Sequence, residues 1–185
     1  MNLVTIYKNI FDQINTIVNN DNTKTFNNVL IYNDQIKRAL DGKKFNTYFM
    51  PSVFVEMSFS NQLNMGRKLN SVDLTITFHI CDMQLDDSYG NLDQNLHIFY
   101  LRDQLHKNID GFTPLQCGAL NYKGEKQDFN HSSYYNYQLV YMTNYIDTTA
   151  YNPGLTLSMI NFTYSIGTYS TYQVNSVIGL TYSGL

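Results

Sequence analysis

The chain has 185 residues, enough for one domain with an appendage and long enough to bury a core without disulfide staples. A formal net charge of −3, with no basic cluster denser than Lys37-Arg38 or Lys43-Lys44, excludes the one-sided basic surface that grips nucleic acid. Two cysteines cannot form a disulfide framework, the start MNLVTIYKNIF lacks the pattern of a signal peptide, and no run approaches the roughly 20 apolar residues of a membrane span.

In chain order, Leu3, Ile6, Tyr7, Ile10, Phe11, Ile14, Ile17 and Val18 recur at steps of three and four and predict an amphipathic helix over residues 3–18. FNNVLIY reads as a short strand. NDQIKRALDG reads as a short helix capped by Asn33 and closed by Gly42. YFMPSVFVEMSF is a strand entered through Pro51, and QLNMGRKLN after it reads as a polar turn region. DLTITFHICDMQL is a strand with Leu74, Ile76, Phe78 and Ile80 on one face and Thr75, Thr77, His79 and Cys81 on the other.

A helix is predicted from Leu92 to Ile109, started at Asn91 and stopped at Gly111. Leu92, Leu96 and Phe99 mark one side of it, and Ile98, Leu101, Leu105 and Ile109 nearly the opposite side. A helix apolar on two sides is covered on two sides, here by the sheet and by a neighbouring subunit. NHSSYYNYQLVYMTNYID is a long strand, with Tyr135, Tyr137, Leu139, Tyr141 and Tyr145 on one face and Val140, Met142 and Ile146 on the other. After the turn at Asn152-Pro153-Gly154 the composition shifts. Residues 155–185 carry no Lys, Arg, Asp, Glu or His. Ile160, Phe162, Tyr164 and Ile166 alternate there, as do Tyr172, Val174, Ile178 and Leu180. Such an uncharged β-hairpin is marginal alone in water and expects another chain against it.

The residue types that could do chemistry do not assemble into a site. His79 and Cys81 share a strand face, but a zinc site needs about four ligands and no second close-spaced pair exists. A Cys81 nucleophile with His79 as base would lack a Gly-rich elbow or helix N-terminus to activate the thiol. His97 and His106 are nine positions apart, on opposite faces of their helix. Asp86-Asp87 precedes Gly90 in a turn-like segment, and no phosphate loop, HExxH or GxSxG is present. Neither a metal nor a cofactor is expected, and no catalytic residue is assigned.

YNDQIKRALDG, MPSVFVEM, DLTITFHI, NLDQNLHIFYLRDQLHKNIDGF and a Tyr-rich strand ending YID resemble, in order and spacing, the tail-terminator and tail-completion (neck ring) proteins of tailed bacteriophages, especially those of Bacteroidetes hosts. The resemblance spans roughly residues 1–147 and implies an α+β core there, a mixed or mainly antiparallel sheet with helices packed on one face. Residues 148–185 form an uncharged β-rich C-terminal arm outside it. The resemblance further implies a homo-oligomeric ring, six- or twelve-fold, in the virion neck or tail, made in the host cytoplasm. Such a ring meets portal, adaptor or tail proteins, lets genomic DNA pass through its lumen without sequence-specific binding, and touches no membrane. Candidates for contact between subunits are Tyr135, Tyr137, Tyr141, Ile160, Phe162, Tyr164, Ile166, Tyr172 and Val174. The alternatives are a minor tail or fibre-attachment binding protein, or an enzyme using Cys81 and His79.

Overall fold

The computed structural model describes residues 3–35, 50–66, 69–83, 92–128 and 134–150, and the backbone of four short strands between 156 and 181. The first helix, α1, spans Leu3–Asn15 and buries Ile6, Ile10 and Ile14, one per turn. It ends three residues sooner than its periodicity predicts. Thr16 and Ile17 turn back onto Gln13 and Ile14 through backbone bonds of 3.2 and 3.0 Å, while Ile17 still reaches the core. The polar turn beyond is held by Asp21, whose Oδ1 accepts from the backbone N–H and the hydroxyl of Thr23 at 3.0 and 2.6 Å. Asn22 takes the positive φ that Asn tolerates.

Strand β1, Asn28–Ile31, lies parallel to β2, Ser52–Gly66, with Val29 opposite Val53 and Ile31 opposite Val55. β2 turns antiparallel into β3, Leu69–Met83. Helix α2 spans Leu92–Ile109, and β4, Asn121–Asp128, precedes β5, Tyr134–Asp147. The sheet order is β1-β2-β3-β5-β4, so β3 is central and only the β1–β2 pair is parallel. The fold is α+β with a mixed, mainly antiparallel sheet. The helix predicted over 33–42 lies, beyond Gln35, outside the described residues, as do Asn91 and the Asp86-Asp87 turn.

Strand alternation decides which side chains meet the helices. Val53, Val55 and Met57 of β2 lie opposite Ile80, Phe78 and Ile76 of β3, which lie opposite Tyr137, Leu139 and Tyr141 of β5. On this face they pack with Ile6, Ile10 and Ile14 of α1 and Ile98, Leu101, Leu105 and Ile109 of α2 in one core cluster. Both helices therefore sit on one side of the sheet.

Two elements differ from the sequence reading. The predicted polar turn QLNMGRKLN is mostly strand: β2 runs to Gly66 and β3 resumes at Leu69, with Gly66 paired to Leu69, so the chain reverses between them, at residues 67–68 outside the described residues. Register shifts between Ser60 and Leu63 and between Asn64 and Gly66 let the ladder absorb turn-forming residues. Asn61 carries a positive φ at the first shift. Strand β4, NYKGEKQD, went unpredicted because it is polar, as an edge strand with one solvated side is free to be. In the C-terminal region, β6, Thr156–Met159, pairs with β9, Ile178–Thr181, and β7, Phe162–Ile166, pairs with β8, Ser170–Val174. The two ladders nest about one reversal, an interrupted version of the hairpin read from the sequence.

Candidate functional site

The His79–Cys81 side of β3 is a packed polar end of the sheet. The alternation that sends Phe78 and Ile80 to the helices sends His79 and Cys81 to the other face, beside Phe54 of β2 and Asn136 of β5. His79 Nε2 lies 2.9 Å from Glu56 Oε2, and Tyr32 stacks flat on the imidazole at 4.0 Å between ring centres. The Tyr32 hydroxyl donates to Asp34 at 3.1 Å. Burial, then Asp34, pushes that hydroxyl's pKa up to about 12. Cys81 is fully buried with Phe54 among Leu30, Tyr32 and Met50, its Sγ 3.9 Å from the His79 carbonyl and from Asn136 Oδ1. A thiol without accessible surface cannot attack a substrate. Cys117 lies elsewhere, bridged through its backbone to Tyr145. Burial pushes its thiol up to about 11, which keeps it protonated at neutral pH. Among the described residues no three His, Cys, Asp or Glu side chains converge as metal ligands.

A second polar network fastens α2 to the sheet. Arg102 Nε donates to Glu125 Oε2 at 2.8 Å, Arg102 Nη2 lies 2.6 Å from the same oxygen, and Nη1 donates to Asp103 at 2.9 Å. Burial alone would raise the Glu125 pKa, but hydrogen bonds from Arg102, Tyr137 and Tyr122 outweigh it and hold the carboxyl below its usual range. One turn along α2, His106 Nδ1 and the Tyr141 hydroxyl share a 2.6 Å hydrogen bond. The Tyr141 ring meets Phe78 and Tyr122 edge-on, and burial raises its hydroxyl pKa. At the start of α2, His97 Nδ1 lies 2.6 Å from Asp82 Oδ2 at the end of β3.

The contact candidates therefore separate. Tyr141 is fully buried and Tyr137 nearly so, with Phe99 edge-on against Tyr137 at 5.9 Å. Both rings are occupied within the chain. Tyr135 is half-buried and packs against the core. Ile160 lies outside the described residues, as do the side chains of Phe162, Tyr164, Ile166, Tyr172 and Val174. The backbone register sets Phe162 opposite Val174 and Tyr164 opposite Tyr172.

Among the described residues, exposed apolar side chains include Val4, Val18, Ile31, Leu115 and Ile146, and two further sets lie toward opposite ends of the sheet. Leu96 (46% exposed) and Tyr100 lie on the outer side of α2, and Phe99, which also meets Tyr137, at its flank, near the end of the sheet that holds Asp82. Phe59 (47%), Leu63 (66%) and Met65 lie on the far part of β2, where the β2–β3 ribbon overhangs the helix layer. β3 runs about 40 Å between these two ends at the usual strand rise, whereas α1 covers only about 20 Å. A cavity of about 420 Å³ opens where α1 stops short, lined by Leu3, Val4, Phe59, Val72 and Tyr145 among others. Sequence reasoning found the outer side of α2 but missed the ribbon, because its apolar residues are spaced among Asn, Gln and Ser.

No family model matches the chain, and no curated protein matches it in sequence.

Proposed function

We propose that this protein is a structural subunit of a homo-oligomeric ring at the head–tail or tail junction of a tailed phage, with DNA passing through the lumen. The observation that carries the ring is that two unlike sets of exposed apolar side chains, Leu96 and Tyr100 of α2 and Phe59, Leu63 and Met65 of β2, lie toward opposite ends of the sheet. A two-fold dimer uses one self-complementary patch. A ring uses two different patches, head to tail, until the rotation closes. Supporting the setting in a virion are the resemblance in element order, the mildly acidic chain, which does not grip DNA, and the uncharged arm, suited to a protein neighbour. Assembly is then the mechanism: the ribbon of one subunit meets the next, and the Arg102–Glu125 and His97–Asp82 contacts keep α2 in position to present Leu96, Phe99 and Tyr100.

Mass photometry and negative-stain imaging of the full chain, with antibody labelling of phage particles, test this reading. Closed rings and a label confined to the junction are expected. Monomers at all concentrations, a label on fibres or a label absent from particles would overturn it. Leu96→Glu is expected to change stability by no more than about 0.5 kcal/mol, as surface substitutions do. It should weaken self-association about tenfold or more, because a carboxylate lacking a partner in a contact costs over 1 kcal/mol.

A further inference from the structure

The two edges of the main sheet are protected very differently. Edge strand β4 carries Lys123, Glu125, Lys126 and Asp128, the charges that natural sheets place where they must refuse another strand. At the other edge β1 is only four residues long and covers β2 only from Ser52 to Val55. The backbone N–H of Tyr32 makes one more bond to the Val55 carbonyl, at 2.9 Å. From Glu56 to Ser60 the ladder with β3 stays in regular register; there the Tyr7 hydroxyl bonds the Met57 backbone, and among the described residues no strand pairs with the outer side of β2. Beyond Glu56 no charged side chain stands on this strand up to Gly66.

The C-terminal arm has the matching character. Its strands are four and five residues long, the length of the open segment. It carries no charge from residue 155 onward, and two-stranded ladders of this size need a further strand or layer for stability. A cavity lined by Leu3, Val4, Phe59, Gln62, Val72, Tyr145, Asp147 and Thr149 reaches Phe59 of this segment and would take side chains from the helix-facing side of an added strand. The arm departs from β5 at Asp147, paired with Asn70 near the ribbon tip. β5 is separated from the β2 edge by β3.

We infer that the open edge of β2, residues 56–60, accepts a strand of the C-terminal arm from a second copy of this chain. The inference rests on the ring reading and names how neighbours are joined. Added main-chain hydrogen bonds would supply the affinity and the cavity beside Phe59 the register.

The test uses the full chain with p-benzoylphenylalanine at Phe59, a half-exposed position that keeps its aromatic ring. Heavy-isotope-labelled probe protein is mixed with unlabelled wild type, irradiated and analysed by mass spectrometry. Crosslinks joining a labelled β2 peptide to an unlabelled peptide from 156–181 are expected. Crosslinks only within labelled material, which mark the chain's own arm, or none to 156–181, would overturn the inference. Native mass measured on the same sample separates the two levels: rings without arm crosslinks remove this inference alone, whereas monomers throughout remove the ring reading too. Independently, Ser58→Lys places a guarding charge at the exposed centre of the open segment. It is expected to weaken self-association about tenfold or more with an unchanged melting temperature, and unaltered association would count against strand addition.

Discussion

Replacing Tyr141 with Phe removes one oxygen and nothing else from the centre of β5. The ring keeps its edge-on contacts with Phe78 and Tyr122 and loses only the 2.6 Å hydrogen bond to His106 Nδ1. The net value of a neutral hydrogen bond is about 1 kcal/mol, rising toward 3 kcal/mol when the remaining partner stays buried and unsatisfied. His106 is half-buried, so water recovers part of its loss and the cost falls at about 1–2 kcal/mol. For a chain of this length that lowers the melting temperature by about 3–6 °C. Near-ultraviolet circular dichroism against temperature reads the shift, and mass photometry well below the transition reads the oligomer. Because the hydroxyl is spent inside the chain, the oligomer distribution should stay that of the wild type. An unchanged melting temperature with a tenfold change in association would refute the reasoning, since the hydroxyl would then serve a neighbour.

Glu125 predicts a pH dependence. Its carboxyl is held below the usual range, so its contribution to stability is fully present above the unfolded value of about 4.3 and is lost as pH falls through the lower folded value. Glu125→Gln should cost about 1 kcal/mol at neutral pH once its partial exposure is allowed for. It should also flatten the fall in urea midpoint between pH 5 and strong acid; equal acid sensitivity in both proteins would contradict the assignment. The thiols predict a chemical silence. With its pKa near 11, Cys117 is about 0.1% thiolate at pH 8, so it should react about two orders of magnitude more slowly than a free thiol of pKa near 8.5. Cys81 has no accessible surface. Ellman's reagent should find both thiols promptly only in denaturant, and rapid titration of either in native protein would show that the packing around it is wrong.

Much of the fold was legible because burial writes a period into the sequence. The four-residue spacing of Ile6, Ile10 and Ile14 and the alternation from Leu74 to Ile80 are direct records of a face turned inward. The two-sidedness of α2 was legible for the same reason, and the structure divides it cleanly: Leu101 and Leu105 are buried, Leu96 is not. The overhanging ribbon and β4 were not legible because neither has a buried face to record. Their strands are set by pairing with β3 and β5, a nonlocal cause that leaves Gln62 and Asn64 reading as a turn. The candidate site was half legible. The sequence pointed to Tyr as contact residues, but Tyr141 and Tyr137 are consumed by a network with His106, Arg102 and Glu125 that spans elements far apart in the chain.

β3 pairs in unbroken register with β5 over fourteen residues, from Asn70 with Asp147 to Met83 with Tyr134, and with β2 along its other side. In the proposed ring the exposed apolar sets lie toward the two ends of this strand, so a pull between neighbours would run lengthwise through it. Strands loaded along their length must give up their ladder bonds together, as in shear. Strands pulled apart sideways release them one at a time, as in a zip. The subunit is therefore stiffest in the direction in which a ring would stretch when its lumen is under pressure, and softest across the strands, toward the four-residue edge of β1.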